Sequence, residues 1–240
     1  MAKQYKRILL KISGEALKGE DEIYSKDFIN KIYQIVKKIT DMGTEVAIVV
    51  GGGNIWRGNL AENLGIERTS GDYMGMLATM MNAMCLQSYF ENNGLNTRVM
   101  SAVECNKVCE PYIRRKAIRH LEKKRVVIFA GGIGSPYFTT DTSAALRAKE
   151  INADGIFMGK NGVEGILTDD PRKNPDATLI KVISYQDILS RGLKVMDPAA
   201  VSLLLDSTVD VRVFNMNDPE NAVRVVKGED LGTLVTNLKK

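Results

Sequence analysis

Residues 126–148, VVIFAGGIGSPYFTTDTSAALRA, pass from an uncharged, β-branched run through a glycine-rich turn into an alanine-rich stretch. Val126 to Ala130 is short and apolar at every position, the pattern of a strand buried on both faces of a parallel sheet. Gly131, Gly132 and Gly134 follow at its carboxyl end. Glycines there let backbone N–H groups converge on an anion, and a following helix adds the positive end of its dipole. Asp141 then stands where a metal or a cationic group meets that anion. The plainer alternative is an ordinary strand-to-helix turn capped by Thr139 or Thr140.

The rest of the chain repeats this grammar. Ile8 to Ile12 reads as a strand ending in Lys11, Ser13 and Gly14. Apolar residues Phe28, Ile29, Ile32, Ile35, Val36, Ile39 and Met42 recur at helical spacing between Ser25 and Gly43, with Gly43 as a stop. Strand 44–50 runs into Gly51-Gly52-Gly53. A Met-rich segment from Asp72 to Asn93 carries Met74, Leu77, Met81, Met84, Cys85 and Ser88 on one stripe, suited to core packing or a subunit interface. Strand 97–102, a basic amphipathic helix over 114–125 and strand 126–130 follow. GIFMG after Asp154 leads into VEGILTDDP (163–171), which reads as a hairpin ending in a Pro-marked loop. Short helices near 184–191 and 198–206, strand 211–216, a helix from Pro219 and a last strand TLVT complete the alternation. It predicts an α/β fold, a three-layer αβα sandwich with a central, mostly parallel sheet, as one domain over 1–240.

Composition narrows the function. The 240 residues carry a net charge of +4 spread along the chain, which suits the handling of small anions better than tracking a nucleic-acid backbone. Cys85, Cys105 and Cys109 lack metal-ligand spacing, and reduced, non-catalytic thiols in a cytoplasmic protein fit them. No segment approaches the ~18 apolar residues of a membrane span, and the N-terminus lacks a signal-peptide pattern.

Glycine clusters recur at three strand ends: Ser13-Gly14, Gly51 to Gly53 with Asn54, and Gly131 to Gly134. In a parallel sheet those ends share one edge, so the clusters are expected to line one crevice, with Lys11, Arg57 and Asp141 offsetting several phosphate charges. Gly14 and Gly19 have P-loop spacing, but Glu20 and Asp21 stand where Lys and Ser/Thr are required. Neither G-x-G-x-x-G nor the protein-kinase signatures occur. His120, the one histidine, lies in the basic helix and reads as exposed or partly packed. Phosphoryl transfer needs no histidine, because positioning and charge neutralisation suffice.

Together, KISGEAL (11–17), GGGNIWRG (51–58), GDYMGMLAT (71–79), GSPYFTTD (134–141), TDDP (168–171), KVMD (194–197) and RVFNM (212–216) resemble the bacterial uridylate kinases (UMP kinases), of the amino acid kinase superfamily. The resemblance runs nearly end to end. It implies an amino acid kinase-like fold and an ATP:UMP phosphotransferase giving UDP and ADP in pyrimidine biosynthesis, on the way to CTP. By resemblance Lys11, Asp141 and Arg57 are catalytic, and Lys11, Ile12, Ser13, Gly14, Gly53, Arg57, Asn161, Leu167 and Asp170 bind ATP. Gly52, Asp72, Ile133, Gly134, Ser135, Pro136, Tyr137, Phe138, Thr139 and Thr140 bind UMP. Mg²⁺ is expected to arrive mainly on the ATP phosphates, with no dedicated metal ligand. A cytoplasmic homohexamer and feedback inhibition by UTP are likewise implied, with no role for membrane or nucleic acid.

Three positions depart from the family pattern. Ser135 replaces a frequent Asn, and Leu167 replaces an aromatic at the adenine contact, removing a stacking surface. The segment Lys18 to Ile23 is shorter and more acidic than the glycine-rich stretch associated with GTP activation, and an acidic run repels a triphosphate. Two rivals remain. One is a kinase of the same fold acting on a carboxylate or carbamate, for which a ribose-accepting Asp72 has little use. The other is a nucleotide-binding or DNA-binding regulator without turnover.

Overall fold

In the computed structural model, which describes residues 5–20, 22–160, 162–169, 174 and 176–237, each central strand sorts its side chains between two sides of one sheet. Along β1 (Arg7–Ile12), Ile8, Leu10 and Ile12 join one apolar cluster and Leu9 joins the other. The two-residue period of a strand demands this. In β2 (Glu45–Val50), Val46, Ile48 and Val50 face the first side, and Ala47 and Val49 the second. Burial on both faces explains the uninterrupted apolar runs.

Helices α1 (Lys26–Asp41), α3 (Arg68–Asn92) and α8 (Glu220–Val226) cover the first side. The second is covered by α4 (Arg114–Glu122), α5 (Thr140–Glu150), α6 (Tyr185–Ser190) and α7 (Pro198–Leu204). In α1 the Ser25 hydroxyl caps the first turn by accepting from the Phe28 N–H at 3.2 Å, and Gly43 ends it in the left-handed region at φ 90°. A short α2 (Gly58–Asn63) leads into α3.

With β3 (Thr97–Ser101), β4 (Glu110–Pro111), β5 (Val126–Ala130), β6 (Gly155–Lys160), β7 (Val182–Ile183), β8 (Asp210–Asn215) and β9 (Thr233–Val235), the described strands form one sheet. Its order is β4-β3-β5-β2-β1-β6-β8-β9-β7. Every pairing is parallel except β8 with β9. The three-layer expectation therefore holds.

Two local expectations sharpen. VEGILTDDP does not fold back on itself; among the described residues 166–168 pair antiparallel with 178–180, the Leu167–Leu179 bridge being flanked by the Thr168 N–H donating to the Thr178 O at 2.9 Å and the Ile180 N–H to the Ile166 O at 2.8 Å. Of the two uses read for the Met stripe of α3, core packing falls away and the interface use is left, because Met74, Leu77, Met81 and Met84 are exposed while Met76, Met80, Ala83 and Leu86 face inward. With about 3.6 residues per turn, two apolar faces fit on one helix, and the stripe was the outer one. No described helix is long and apolar enough to cross a membrane.

Candidate active site

The strands β5, β2, β1 and β6 are neighbours in that order and parallel, so their carboxyl ends form one edge. All three glycine clusters lie on it, as the sequence led one to expect. The first two touch backbone to backbone. A Cβ on Gly14 would lie 2.5 Å from the Gly53 N and 2.6 Å from the Gly51 O, so only glycine lets the turns after β1 and β2 approach this closely.

Period two also aims Lys11. It shares the Leu9 face of β1, the side covered by α5, whose first turn carries Asp141. Lys11 Nζ lies 3.0 Å from Asp141 Oδ1, the side chains being only 17% and 18% exposed. That buried oxygen nevertheless makes no hydrogen bond, so the ammonium sits beside it without alignment. On β6, Ile156 and Met158 face the same side, which brings Lys160 to the same place. Lys160 Nζ donates to the Val195 O at 3.1 Å. Burial, and then repulsion from Lys11, pull its ammonium below the usual lysine range, with Asp141 opposing in part. Two cations and one carboxylate thus meet at the strand ends, a net positive charge that calls for an anion.

On one side of this centre a cleft of about 510 Å³ is lined by Gly52, Gly53, Arg57, Asp72, Ile133, Ser135, Phe138, Thr139 and Thr140. Asp72 sits within the first turns of α3 and is not its cap; its Oδ2 accepts from the Tyr137 N–H at 2.7 Å, and Arg68 is 3.6 Å away. Tyr137 itself is left-handed, at φ 72°. A tyrosine there stores strain, which this contact and the Arg68 guanidinium 5.3 Å from its ring offset. The glycine turn after β5 is pinned from α3, where Thr79 Oγ1 accepts from the Gly131 N–H at 2.8 Å.

On the other side, Lys11, Ile12, Ser13 and Lys160 line a cleft of about 230 Å³. Lys160 also borders a cleft of about 540 Å³ with Leu167 and Lys194, and one of about 490 Å³ with Asp141 and Asp197. Glu15 borders both the first and second clefts and pairs with Arg57 at 3.0 Å across exposed surface.

The turn into α5 is capped by Thr139, whose hydroxyl accepts from the Asp141 N–H at 3.0 Å and the Thr142 N–H at 3.3 Å while donating to Asp197. Asp197 caps α7 through the Ala200 N–H at 3.0 Å and also accepts from the Thr142 hydroxyl. Burial alone would raise its carboxyl, but the hydrogen bonds from Thr139, the Ala200 N–H, Thr142 and the Ala199 N–H outweigh burial and hold it below the usual aspartate range.

The structure thus gathers Lys11, Ile12, Ser13, Gly14, Gly52, Gly53, Arg57, Asp72, Asp141 and most of the 133–140 turn on one edge. Gly134, Pro136 and Tyr137 do not line the acceptor-side cleft, although Tyr137 meets Asp72 through its backbone. Leu167 borders a different, adjoining cleft. Asn161 and Asp170 lie outside the described residues. Lys160, Glu15 and Asp197 were not singled out from sequence; for Lys160 the signal was its place on the Met158 face of a strand end. His120 is partly packed away from the edge, its Nε2 3.2 Å from a Glu110 carboxylate oxygen and its Nδ1 3.1 Å from Arg125. The cysteines are free thiols, and burial pushes the Cys85 and Cys109 thiols up, away from reactivity.

A parallel αβα sandwich with paired clefts, glycine turns and lysines at one strand edge is built to hold two phosphorylated groups and transfer between them. The chain belongs to the amino acid kinase family, whose pattern matches residues 6–215. It is 52% identical over 233 residues, 97% of each chain, to a uridylate kinase of Limosilactobacillus reuteri. Its structure is similar to that of the UMP kinase of Bacillus anthracis, with a TM-score of 0.95 and 39% identity over 99% of this chain and 98% of that one. The UMP kinase of Ureaplasma parvum gives a TM-score of 0.91 and 39% identity over 99% and 100%.

Proposed function

We propose that the chain transfers the γ-phosphoryl group of ATP to UMP, yielding ADP and UDP for pyrimidine nucleotide synthesis and, further on, CTP. The observation that carries this reading is the buried Lys11–Asp141 pair at the strand ends, with Lys11 lining the smaller cleft and Asp141 the one it shares with Lys160 and Asp197. The relatives supply the identity of the nucleotides.

On this reading ATP phosphates lie over Ile12, Ser13 and Gly14, with Gly53 and Arg57 reaching them from the acceptor-side cleft they line, and Asn161, Leu167 and Asp170 toward the adenosine. UMP occupies the cleft of Gly52, Asp72 and the 133–140 turn, its ribose hydroxyls donating to the Asp72 carboxylate oxygen that Tyr137 leaves open. Phosphoryl transfer asks the protein for position and charge more than for bonding. Lys11 neutralises the oxygens of the group in flight, Lys160 adds a second, half-buried positive charge, and Asp141 keeps Lys11 in place. The start of α5 contributes its dipole to the same point.

A nucleotide-associated metal is part of kinase chemistry, and Mg²⁺ is the ion read here. Among the described residues no three His, Cys, Asp or Glu side chains gather to hold it. The buried Asp141 Oδ1, lacking an aligned hydrogen bond, fits a carboxylate facing a cation carried on phosphate. Mg²⁺ so carried supplies further neutralisation of the phosphate oxygens.

The whole chain, 1–240, is read as one domain acting in the cytoplasm. The exposed Met74, Leu77, Met81 and Met84 face of α3 supports its use between subunits of a homohexamer. Inhibition by UTP follows from the same acceptor-site reading. ADP formation measured with UMP, CMP, dUMP and AMP tests the assignment. Preference for UMP is expected, and equal rates with AMP would overturn it.

A further inference from the structure

Asn82, on the inner face of α3, is fully buried and polar, a costly placement unless its amide is satisfied. It is satisfied completely by the glycine turn after β2. Its Nδ2 donates to the Gly51 O at 2.7 Å and to Asn54 Oδ1 at 2.7 Å, and its Oδ1 accepts from Asn54 Nδ2 at 3.1 Å. Gly51 is held at its other end too, since its N–H donates to the Ile12 O at 2.9 Å.

In a planar trans peptide the C=O of one residue and the N–H of the next point in opposite directions. Fixing the Gly51 carbonyl toward Asn82 therefore fixes the Gly52 N–H away from α3's buried amide. Gly52 lines the acceptor-side cleft, and among the described residues no acceptor takes its N–H. Glycine by itself would not keep that orientation, because its backbone rotates freely. A Cβ at Gly52 would lie 2.9 Å from Ala78 Cβ and 2.9 Å from the Gly75 O, so no bulkier residue can take over the task.

We propose that Asn82 is a positioning residue that sets the Gly51–Gly52 peptide plane and so keeps the Gly52 N–H aimed at the acceptor's phosphate. This rests on reading the cleft as the UMP side. It places the effect chiefly on UMP, because Lys11 is paired with Asp141 and the Ser13 carbonyl accepts from the Ala16 N–H, while Gly14 alone of these three donor-side residues packs against the Gly51 carbonyl.

The test is steady-state kinetics of Asn82→Asp and Asn82→Leu, with the KM of UMP and of ATP measured separately and melting temperatures alongside. Asn82→Asp keeps the shape but places a carboxylate against the Gly51 carbonyl; Asn82→Leu removes the donors without adding charge. Both are expected to raise the UMP KM about tenfold or more, the loss of a buried hydrogen bond to a carbonyl plus a misaimed donor, while the ATP KM moves less than about threefold. Asn82→Ser, with a shorter donor, should fall between parent and Leu, and serves if the larger changes prevent folding. Asn54→Ala, which leaves the Gly51 bond, should raise the UMP KM less than any Asn82 variant. An unchanged UMP KM in the folded variants overturns the proposal, as does an equal rise in both KM values or a fall in kcat alone that tracks the melting temperature. A parent protein that phosphorylates another acceptor instead would overturn the UMP reading, and the same split measured with that acceptor would still decide the role of Asn82.

Discussion

Lys11 Nζ and Asp141 Oδ1 stand 3.0 Å apart, one on a central strand and the other on the first turn of the helix that covers it. Both are four-fifths buried, and the carboxylate oxygen has no aligned hydrogen bond. A pair left unaligned can turn toward a ligand without first breaking a good hydrogen bond.

On the proposed reading, replacing either member removes charge where it develops during transfer. Lys11→Ala and Asp141→Asn are each expected to lower kcat by about 10²–10³ or more, the usual effect of deleting one preorganised charge or donor. Circular dichroism should show the fold unchanged. Near-parental turnover by either variant would remove that residue from the mechanism.

Lys160 sets stability against activity. Its ammonium is largely desolvated and, among the described residues, donates only to a carbonyl and feels the distant attraction of Asp141, so Lys160→Met should raise the melting temperature by about 2–4 °C, roughly 1 kcal/mol, while raising the ATP KM about tenfold. The pH dependence has a definite sign. Between its lowered value and the ordinary 10.5 the unfolded chain binds more protons, so stability rises with pH there. Turnover falls over the same window as the charge is lost, and the Met variant should lack that alkaline limb.

On the proposed reading Asp72 has two duties on two oxygens. Asp72→Asn keeps an acceptor for the Tyr137 N–H and loses the charge facing the cleft, so the UMP KM should rise about tenfold with kcat little changed. Asp72→Ala also frees the strained Tyr137 turn and should cost more, in kcat as well. Measuring both parameters for both variants separates the duties; identical effects would return Asp72 to a purely structural role.

Asp197 ties the starts of α5 and α7 together. Asp197→Ala should destabilise the protein by about 1–2 kcal/mol at neutral pH, the worth of a helix cap. Its folded-state carboxyl is held below the ordinary 3.8, so this stabilisation is complete above 3.8 and is lost as pH falls through the lower folded value. Urea unfolding of parent and variant at neutral and strongly acid pH should therefore give a difference that shrinks with acid.

The layered fold was readable because central parallel strands leave unbroken apolar runs and glycine marks their exits: β1, β2 and β5 were all placed from that signal. Lys11 was readable for the converse reason, as a charge inside such a run. Lys160 was not, because at a strand's last position a lysine resembles any solvated terminus until a neighbouring strand and helix close over it. The exposed side of the α3 methionines was equally invisible, since periodicity gives a face its width but not its direction. The 163–171 stretch misled through its composition. Its alternating apolar residues suit a hairpin, yet among the described residues the pairing spans only 166–168 against 178–180, too short for a regular strand.

The sheet order has a consequence for how activity first arises. Lys11, Gly52, Gly134 and Lys160 come from strands adjacent in space but joined through long intervening segments, so none of the local helices can bring them together. Parallel pairings of this kind form late, after the loop-closure entropy of each crossover has been met. Recovery of phosphoryl transfer during refolding should therefore lag behind the return of helical signal. It reports the moment when β6 docks beside β1.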